Sequence, residues 1–299
     1  MSNNARAIML MIIAIVCYSS MDATAKSIAE DTNTVMALWA RYAGSTLVVL
    51  ALTWRRLSQV VRSRYPVMQA VRGAFLLCAT ASFFSGLQFL GLAENTAIMD
   101  LNPVLITLGA ALFLGEKLGP RRIAAISVAL VGALIIIRPG SGVFTWHAVL
   151  PFMAACCYTG FSLITRHMGD REDPWTSLLY GAGLGAVIVT LILPGYWQMP
   201  GLATAAKMVL LAGLGTVAQL LLIRALSIGE AAMLAPFAYV GLINATLLGV
   251  VIFGEYPDLW TIVGALVIVV AGVYVWHRET RAGQQTALPA QAKTPPEGL

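Results

Sequence analysis

The sequence predicts an all-α polytopic membrane protein of ten transmembrane helices, arranged as two inverted five-helix repeats. Three observations carry that prediction. Of 299 residues, 59% are hydrophobic and only 11% are charged, against roughly 25% charged in an ordinary soluble domain. Apolar runs of about 20 residues, enough to cross a hydrocarbon core roughly 30 Å thick, recur along the whole chain. Short landmarks of the first half also return, in the same order, in the second.

The apolar runs place spans at about 7–28, 34–54, 70–91, 96–115, 121–138, 146–166, 174–194, 203–225, 231–254 and 259–277. The first, in MSNNARAIMLMIIAIVCY, opens like a secretory leader. No small-x-small cleavage site follows it, so it reads as an uncleaved span. Connections between spans are too short for a soluble domain. After His277 the chain turns polar, and residues 279–299 read as a disordered cytoplasmic tail. The four cysteines, Cys17, Cys78, Cys156 and Cys157, fall inside spans without metal-ligand or CxxC spacing, and read as buried free thiols.

Orientation follows from the basic residues. With the N-terminus inside, fifteen of the nineteen lysines and arginines fall in cytoplasmic segments, Arg72 among them. The excess puts both termini in the cytoplasm. These cations sit between spans as topology signals, so the net charge of +5 does not point to nucleic acid.

The repeat is visible in two pairs of landmarks. CYSSMDATAK (17–26) and CYTGFSLITR (157–166) each start with Cys-Tyr and end on a cation, 140 residues apart. Phe113-Leu-Gly115-Glu116-Lys117 is echoed by Ile252-Phe-Gly254-Glu255-Tyr256, and a long apolar stretch follows each. This divides the chain into five-span units at 5–139 and 146–278. Five is odd, so the second unit enters the membrane from the opposite side. The first Gly-Glu turn continues KLGPRR and belongs inside; the second continues YPDLW, without a cation, and belongs outside. Inverted repeats are characteristic of secondary transporters, which bind near the midplane between the halves.

The order of these motifs resembles the drug/metabolite transporter superfamily, of the type with two EamA modules. The resemblance rests on Tyr18 to Lys26 in span 1, Arg41 within LWARY in span 2, Pro103 in span 4, and the turns Gly115-Glu116 and Gly254-Glu255. It spans residues 5 to about 280. Two departures stand out: Tyr18 replaces a common tryptophan, and Asp22 a common neutral polar residue. Through SMDATAK, LWARY and APFAYVGLINATLLGVVIFGEYPDLWTIVGA the chain is similar to riboflavin importers of the RibN kind. The last stretch is shared with S-adenosylmethionine carriers. The resemblance implies uptake of riboflavin, with exchange or export of an amino-acid-like metabolite as the alternative.

Ionisable residues in a span cost roughly 2.5–3.5 kcal/mol each on insertion scales, so each needs a reason. Asp22 and Lys26, four apart, share a helix face; they pair, with Lys26 reaching toward the interface, or Asp22 lines a cavity. Arg41 is too deep to reach water easily and either partners Asp22 or clamps an anionic or carbonyl group. Asp100, Asn102 and Pro103 in span 4 correspond to Pro236, Tyr239 and Asn244 in span 9. Paired, proline-broken polar helices are the strongest sequence pointer to a transport site. Tyr18, Trp39, Tyr158, Gln88 and Gln219 are further pathway candidates. Glu116 and Glu255 read as caps or gate ions.

Other classes fit poorly. The chain has no HExxH, no CxxC, no Walker A motif and no obvious Ser/His pair, and His147, His167 and His277 do not cluster. The reading is a carrier rather than an enzyme, without cofactor or metal, whose partners are a small-molecule substrate and the lipid bilayer; a homodimer is compatible with it. A sensor or scaffold that moves no substrate is the alternative of a different class.

Overall fold

The structure, a computed structural model, describes residues 3–114, 120–137, 146–168, 172–228 and 234–287. Among these residues every regular element is helical and no strand occurs. The first long helices are α1 (Asn3–Asp31) and α2 (Thr34–Thr53), the latter prolonged by a 3₁₀ turn and the short α3 (Leu57–Val60). They are followed by α4 (Pro66–Gly86), α5 (Leu92–Met99), α6 (Asn102–Leu114) and α7 (Pro120–Ile137). Then come α8 (Val149–Met168), α9 (Pro174–Ile192), α10 (Leu202–Ile228), α11 (Val240–Leu248) and α12 (Leu259–Ala287).

Local chemistry sets several of these ends. The Asn33 side chain accepts from the Met36 N–H at 3.0 Å and caps α2. Asp173 does the same for α9 through the Trp175 N–H at 3.2 Å. Pro66 and Pro174 occupy first-turn positions, where a missing N–H costs nothing. Pro66 starts α4 four residues before the apolar run begins, which moves Arg72 from the edge of the expected span to the second turn of the helix.

Six helical stretches have the length and apolarity to cross a membrane: Ala5–Asp31, Thr34–Val60, Pro66–Gly86, Trp146–Thr165, Pro174–Gly195 and Leu202–Ala225. Shorter apolar helices cover Ile123–Ile137, Phe237–Phe253 and Leu259–Tyr274. Large apolar side chains such as Leu47, Leu191, Val209 and Ile243 point outward. A bilayer accepts such a surface, and the backbone polar groups are satisfied within the helices. The polar segment after residue 278 is helical as far as Ala287.

Packing is mostly between distant parts of the chain. α1 lies against α10 and α4 against α8; α2 lies against α9, and α7 against α12. α5 packs on α11, and α1 also meets α11 and α2. The main core gathers Met21, Ala25, Met36, Phe84, Ala154 and Leu211, so α1, α2, α4, α8 and α10 meet there. All four cysteines are free, as expected, but none is fully buried: Cys17 and Cys157 are half-buried, and Cys78 on α4 and Cys156 on α8 are exposed.

Glycine sets the approach of α2 and α9. A Cβ at Gly185 would run into the Tyr42 ring, whose hydroxyl donates to Thr80 Oγ1 at 2.9 Å. Gly185→Val is expected to destabilise the folded bundle by about 1–3 kcal/mol, the usual cost of overpacking a well-filled contact. Thermal unfolding in detergent, followed by size-exclusion chromatography, measures the shift.

Candidate functional site

α1 forms one wall of the site. Tyr18, Asp22 and Lys26 recur every fourth residue on one face, so their side chains follow one another roughly 6 Å apart along the axis. Tyr18 donates its hydroxyl to Gln219 Oε1 of α10 at 2.5 Å. Three residues before Asp22 on α1, Ser19 Oγ accepts from Asn244 Nδ2 of α11 at 2.6 Å. These bonds tie residues more than 200 positions apart.

Lys26 does not pair with Asp22 and does not reach out to water. It forms an ion pair with Glu255, donates to the Leu90 carbonyl at 3.2 Å, and lies 5.2 Å from the centre of the Phe253 ring. Its residue is only 6% exposed. The physical reason lies in Gly254, whose φ of 66° turns the chain in the left-handed region that glycine tolerates best. Glu255 thereby points back at α1, and its other oxygen accepts from the Leu92 N–H at 2.9 Å.

Arg41 forms no ion pair with Asp22. Its Nη1 lies 2.7 Å from Met21 Sδ, and its guanidinium sits 5.8 Å from the ring centres of both Tyr42 and Phe84. A thioether is a weak acceptor, so the guanidinium fork keeps donors to offer. Asp22, Tyr18 and Tyr158 all feel the Arg41 charge. Asp22 and Arg41 are thus neighbours that form no ion pair with one another. Arg41 and Gln219 line a cavity between α2, α4, α9 and α10, together with Tyr42, Ser45, Arg72 and Thr216. A second hollow, lined by Glu30, Asn33 and Gln88, opens above the Lys26–Glu255 pair.

The remaining candidates lie in several different places. Tyr158 joins the Arg41 group, with Phe161 at 5.4 Å between ring centres. Trp39 instead belongs to the α2–α9 contact, donating to Thr190 Oγ1 at 3.1 Å and meeting Trp197 edge-on. Gln88 donates to Thr34 Oγ1 at the end of the bundle. Asp100 lies at the break between α5 and α6, with Asn102 and Pro103 opening α6. Pro236 and Tyr239 lie in the 3₁₀ turn Ala235–Tyr239 before α11. Gly115 and Glu116 lie outside the described residues.

Comparison with known proteins then decides the family. The model of the EamA-like transporter family matches residues 5–138 and again residues 145–276. The chain belongs to the EamA-like transporter family. A riboflavin transporter of Rhizobium johnstonii is 31% identical over 252 residues, covering 84% of this chain and 83% of that protein. An S-adenosylmethionine uptake transporter of Rickettsia bellii is 24% identical over 271 residues, 91% and 93% of the two chains. The pseudopaline exporter CntI of Pseudomonas aeruginosa is 28% identical over 270 residues, 88% and 93% of the two. A solved crystal structure of 21% identity aligns over 93% of this chain and 99% of its own with a TM-score of 0.64, which shows a shared fold.

The EamA-like chain also holds a polar cluster that the sequence reading missed. Arg72 is only 6% exposed, and its guanidinium lies 4.7 Å from the Phe161 ring centre. It donates to Thr165 Oγ1 at 2.8 Å, to Gln69 Oε1 at 2.8 Å and to the Ser177 carbonyl at 3.2 Å. Gln69 donates onward to Glu172 Oε2 at 3.1 Å, which also accepts from Ser63 at 2.8 Å. This network ties α4 and the segment before it to α8 and α9, at the opposite end of the bundle from Lys26–Glu255. The proline at 66 was the available signal, because it moves the helix start and carries Arg72 two turns inward.

Glu172 lies in the segment between α8 and α9. Burial raises its carboxyl, but hydrogen bonds from Gln69, Ser63 and the Arg64 and Tyr65 backbones outweigh that and hold it below the ordinary 4.5. A carboxyl lowered in the folded state stabilises fully above its unfolded value, and the contribution is lost as pH falls through the folded one. Melting temperature is therefore expected to drop below about pH 4.5, and Glu172→Gln is expected to flatten that slope.

Proposed function

We propose that this chain is a secondary carrier, not driven by ATP, which moves a small organic metabolite across the bacterial inner membrane by alternating access. Membership of a transporter family, matched once in each half, is the observation that carries the reading. The packing supports a 5+5 inverted arrangement. If α1 corresponds to α8, α2 to α9, α4 to α10, α5 and α6 to the 235–248 segment and α7 to α12, the contact α1–α10 becomes the counterpart of α4–α8. The contacts α2–α9 and α7–α12 then join each helix to its own counterpart. A two-fold axis in the membrane plane produces that pattern. With both termini in the cytoplasm, Lys26–Glu255 closes the outer end and Arg72–Gln69–Glu172 the inner end. The Arg41 cavity lies between them.

Riboflavin uptake is the substrate reading favoured here, supported by the 31% identical riboflavin transporter. A planar, carbonyl-bearing ring suits the Tyr18, Tyr42 and Tyr158 rings, the Gln219 amide and the Arg41 fork. A second reading, an amino-acid-like metabolite, draws on Asp22 and Arg41, whose separate opposite charges match an ammonium and a carboxylate. The S-adenosylmethionine transporter is consistent with that alternative. Direction follows the gradient in either case.

A bacterium unable to make riboflavin tests the reading. With this gene it is expected to grow at limiting external riboflavin; Asp22→Asn and Asn102→Ala are expected to abolish rescue at unchanged membrane abundance. Failure of the unaltered gene to rescue, with the protein present in the membrane, counts against riboflavin and in favour of the amino-acid-like class.

A further inference from the structure

The segment that leads from α2 into α4 carries four arginines within ten residues: Arg55, Arg56, Arg62 and Arg64. Trp54 follows the start of α2 at Thr34 by 20 residues, roughly 30 Å along a helix axis, which is the thickness of a hydrocarbon core. The chain therefore delivers these arginines to a membrane surface. All four are exposed, and so are the apolar side chains among and beside them, Leu52, Trp54, Val61 and Val67. Among the described residues none of the four forms an ion pair. Glu172 and Asp173, the described carboxylates of the facing segment between α8 and α9, are taken up by hydrogen bonds. Glu172 accepts from Ser63, Gln69 and the Arg64 N–H, and Asp173 from the Trp175 N–H.

Three of the guanidiniums lie over aromatic rings. Arg55 is 5.8 Å from the centre of the Trp54 ring, Arg64 5.8 Å from that of Tyr65, and Arg56 5.6 Å from that of Trp175 at the start of α9. A ring takes the flat face of a guanidinium and leaves the N–H groups at its edge to meet an acceptor. Two parallel N–H groups of one arginine match two oxygens of a phosphate. A topology signal needs charge on one side of the membrane, but neither stacking nor an exposed apolar flank. Arg72, of the same sequence count, shows the contrast: it is buried, and its donors are spent on Thr165, Gln69 and the Ser177 carbonyl. Unpaired cations beside exposed apolar side chains, at the water boundary, fit a ligand with an anionic head and an apolar tail.

We propose that Arg55, Arg56, Arg62 and Arg64 bind the headgroup phosphate of an anionic phospholipid, with Trp54 and Val61 against its acyl chains. Ser63 and the Arg64 N–H hold Glu172, and Arg56 lies over Trp175, so this segment of the first half bears on the second. A lipid bound here sits on the inner closure and stabilises its contacts. Its place in the cytoplasmic leaflet rests on the orientation proposed above; the lipid site itself does not depend on the substrate.

The test uses full-length protein in neutral detergent, without substrate, titrated with dioctanoyl phosphatidylglycerol while the melting temperature is read. A saturable rise is expected. Dioctanoyl phosphatidylcholine and glycerol phosphate, at equal concentrations, are expected to give none. Arg56→Gln is expected to raise the half-saturating concentration about fivefold, the worth of one basic side chain near an anionic surface. Glutamine at all four positions is expected to abolish the rise. The lipid-free melting temperature is expected to hold in both variants, because the side chains are exposed, which separates lost binding from lost fold. No rise with phosphatidylglycerol, an equal rise with phosphatidylcholine, an unshifted Arg56→Gln or a rise kept by the fourfold variant overturns the proposal. An equal rise with glycerol phosphate would make this a site for free phosphate and overturns it too. Riboflavin rescue is a separate readout: its failure leaves the titration untouched, and failure of the titration leaves the substrate reading standing.

Discussion

Exchange of Arg41 for glutamine is expected to raise the substrate concentration for half-maximal transport by about tenfold to a hundredfold, at unchanged membrane abundance. The magnitude is that of a charge-assisted hydrogen bond, roughly 1.5–3 kcal/mol. Arg41 meets Met21 Sδ, two aromatic faces and the Tyr42 hydroxyl, which keeps its bonds to Thr80 Oγ1 and the Leu76 carbonyl, so the loss of Arg41 orphans little in the folded protein. Arg41→Lys is expected to restore only part of the affinity. A single ammonium keeps the charge but loses the planar fork that grips a carbonyl pair or a carboxylate. Initial uptake rates across substrate concentrations, normalised to immunoblotted protein, measure both variants. Equal loss of protein and transport would instead make Arg41 a structural residue.

The second large effect is expected at the Lys26–Glu255 pair. Lys26→Met leaves Glu255 without its cation, and Glu255→Gln leaves Lys26, which is 6% exposed, without its anion. Breaking a buried pair from one side typically costs about 3–5 kcal/mol. The Glu255 side chain is 30% exposed, so removal of Lys26 falls toward the lower end of that range. The double change Lys26→Met with Glu255→Met is expected to cost less than the sum of the single changes, because no charge is left unpaired. Unfolding in detergent gives the cycle. Additive losses would mean that the two groups do not act as a pair.

Much of the fold was legible in the sequence because its physics is one-dimensional. Apolar length marks a span and proline marks a break, so α5/α6 and the 235–239 turn both appear where Pro103 and Pro236 predict disruption. Tyr18 and Gln219 were each recognised as polar residues in apolar surroundings, and they meet at 2.5 Å. Which residues pair was not legible. Lys26 has Asp22 four residues away and Glu255 229 positions away, and local spacing favours the wrong one. Only the left-handed turn at Gly254 and the packing of the halves select Glu255. Arg72 was hidden differently: polar residues at 63–65 and 69 dilute the apolar window, so the hydropathy pattern starts the span late and leaves a buried guanidinium counted as a topology charge. Trp39 shows the converse. Its place in a motif beside Arg41 says nothing of direction, and it points at α9.

Alternating access between two closures makes a demand that one accessibility measurement meets directly. Ser45 lines the Arg41 cavity, and a cysteine there, with the four native cysteines replaced, reports which side reaches it. A membrane-impermeant thiol reagent is added from one face or the other, with and without Glu255→Gln. The account predicts labelling from both faces, with Glu255→Gln speeding the outer reaction and slowing the inner one. Labelling from a single face, unaffected by Glu255→Gln, would contradict it.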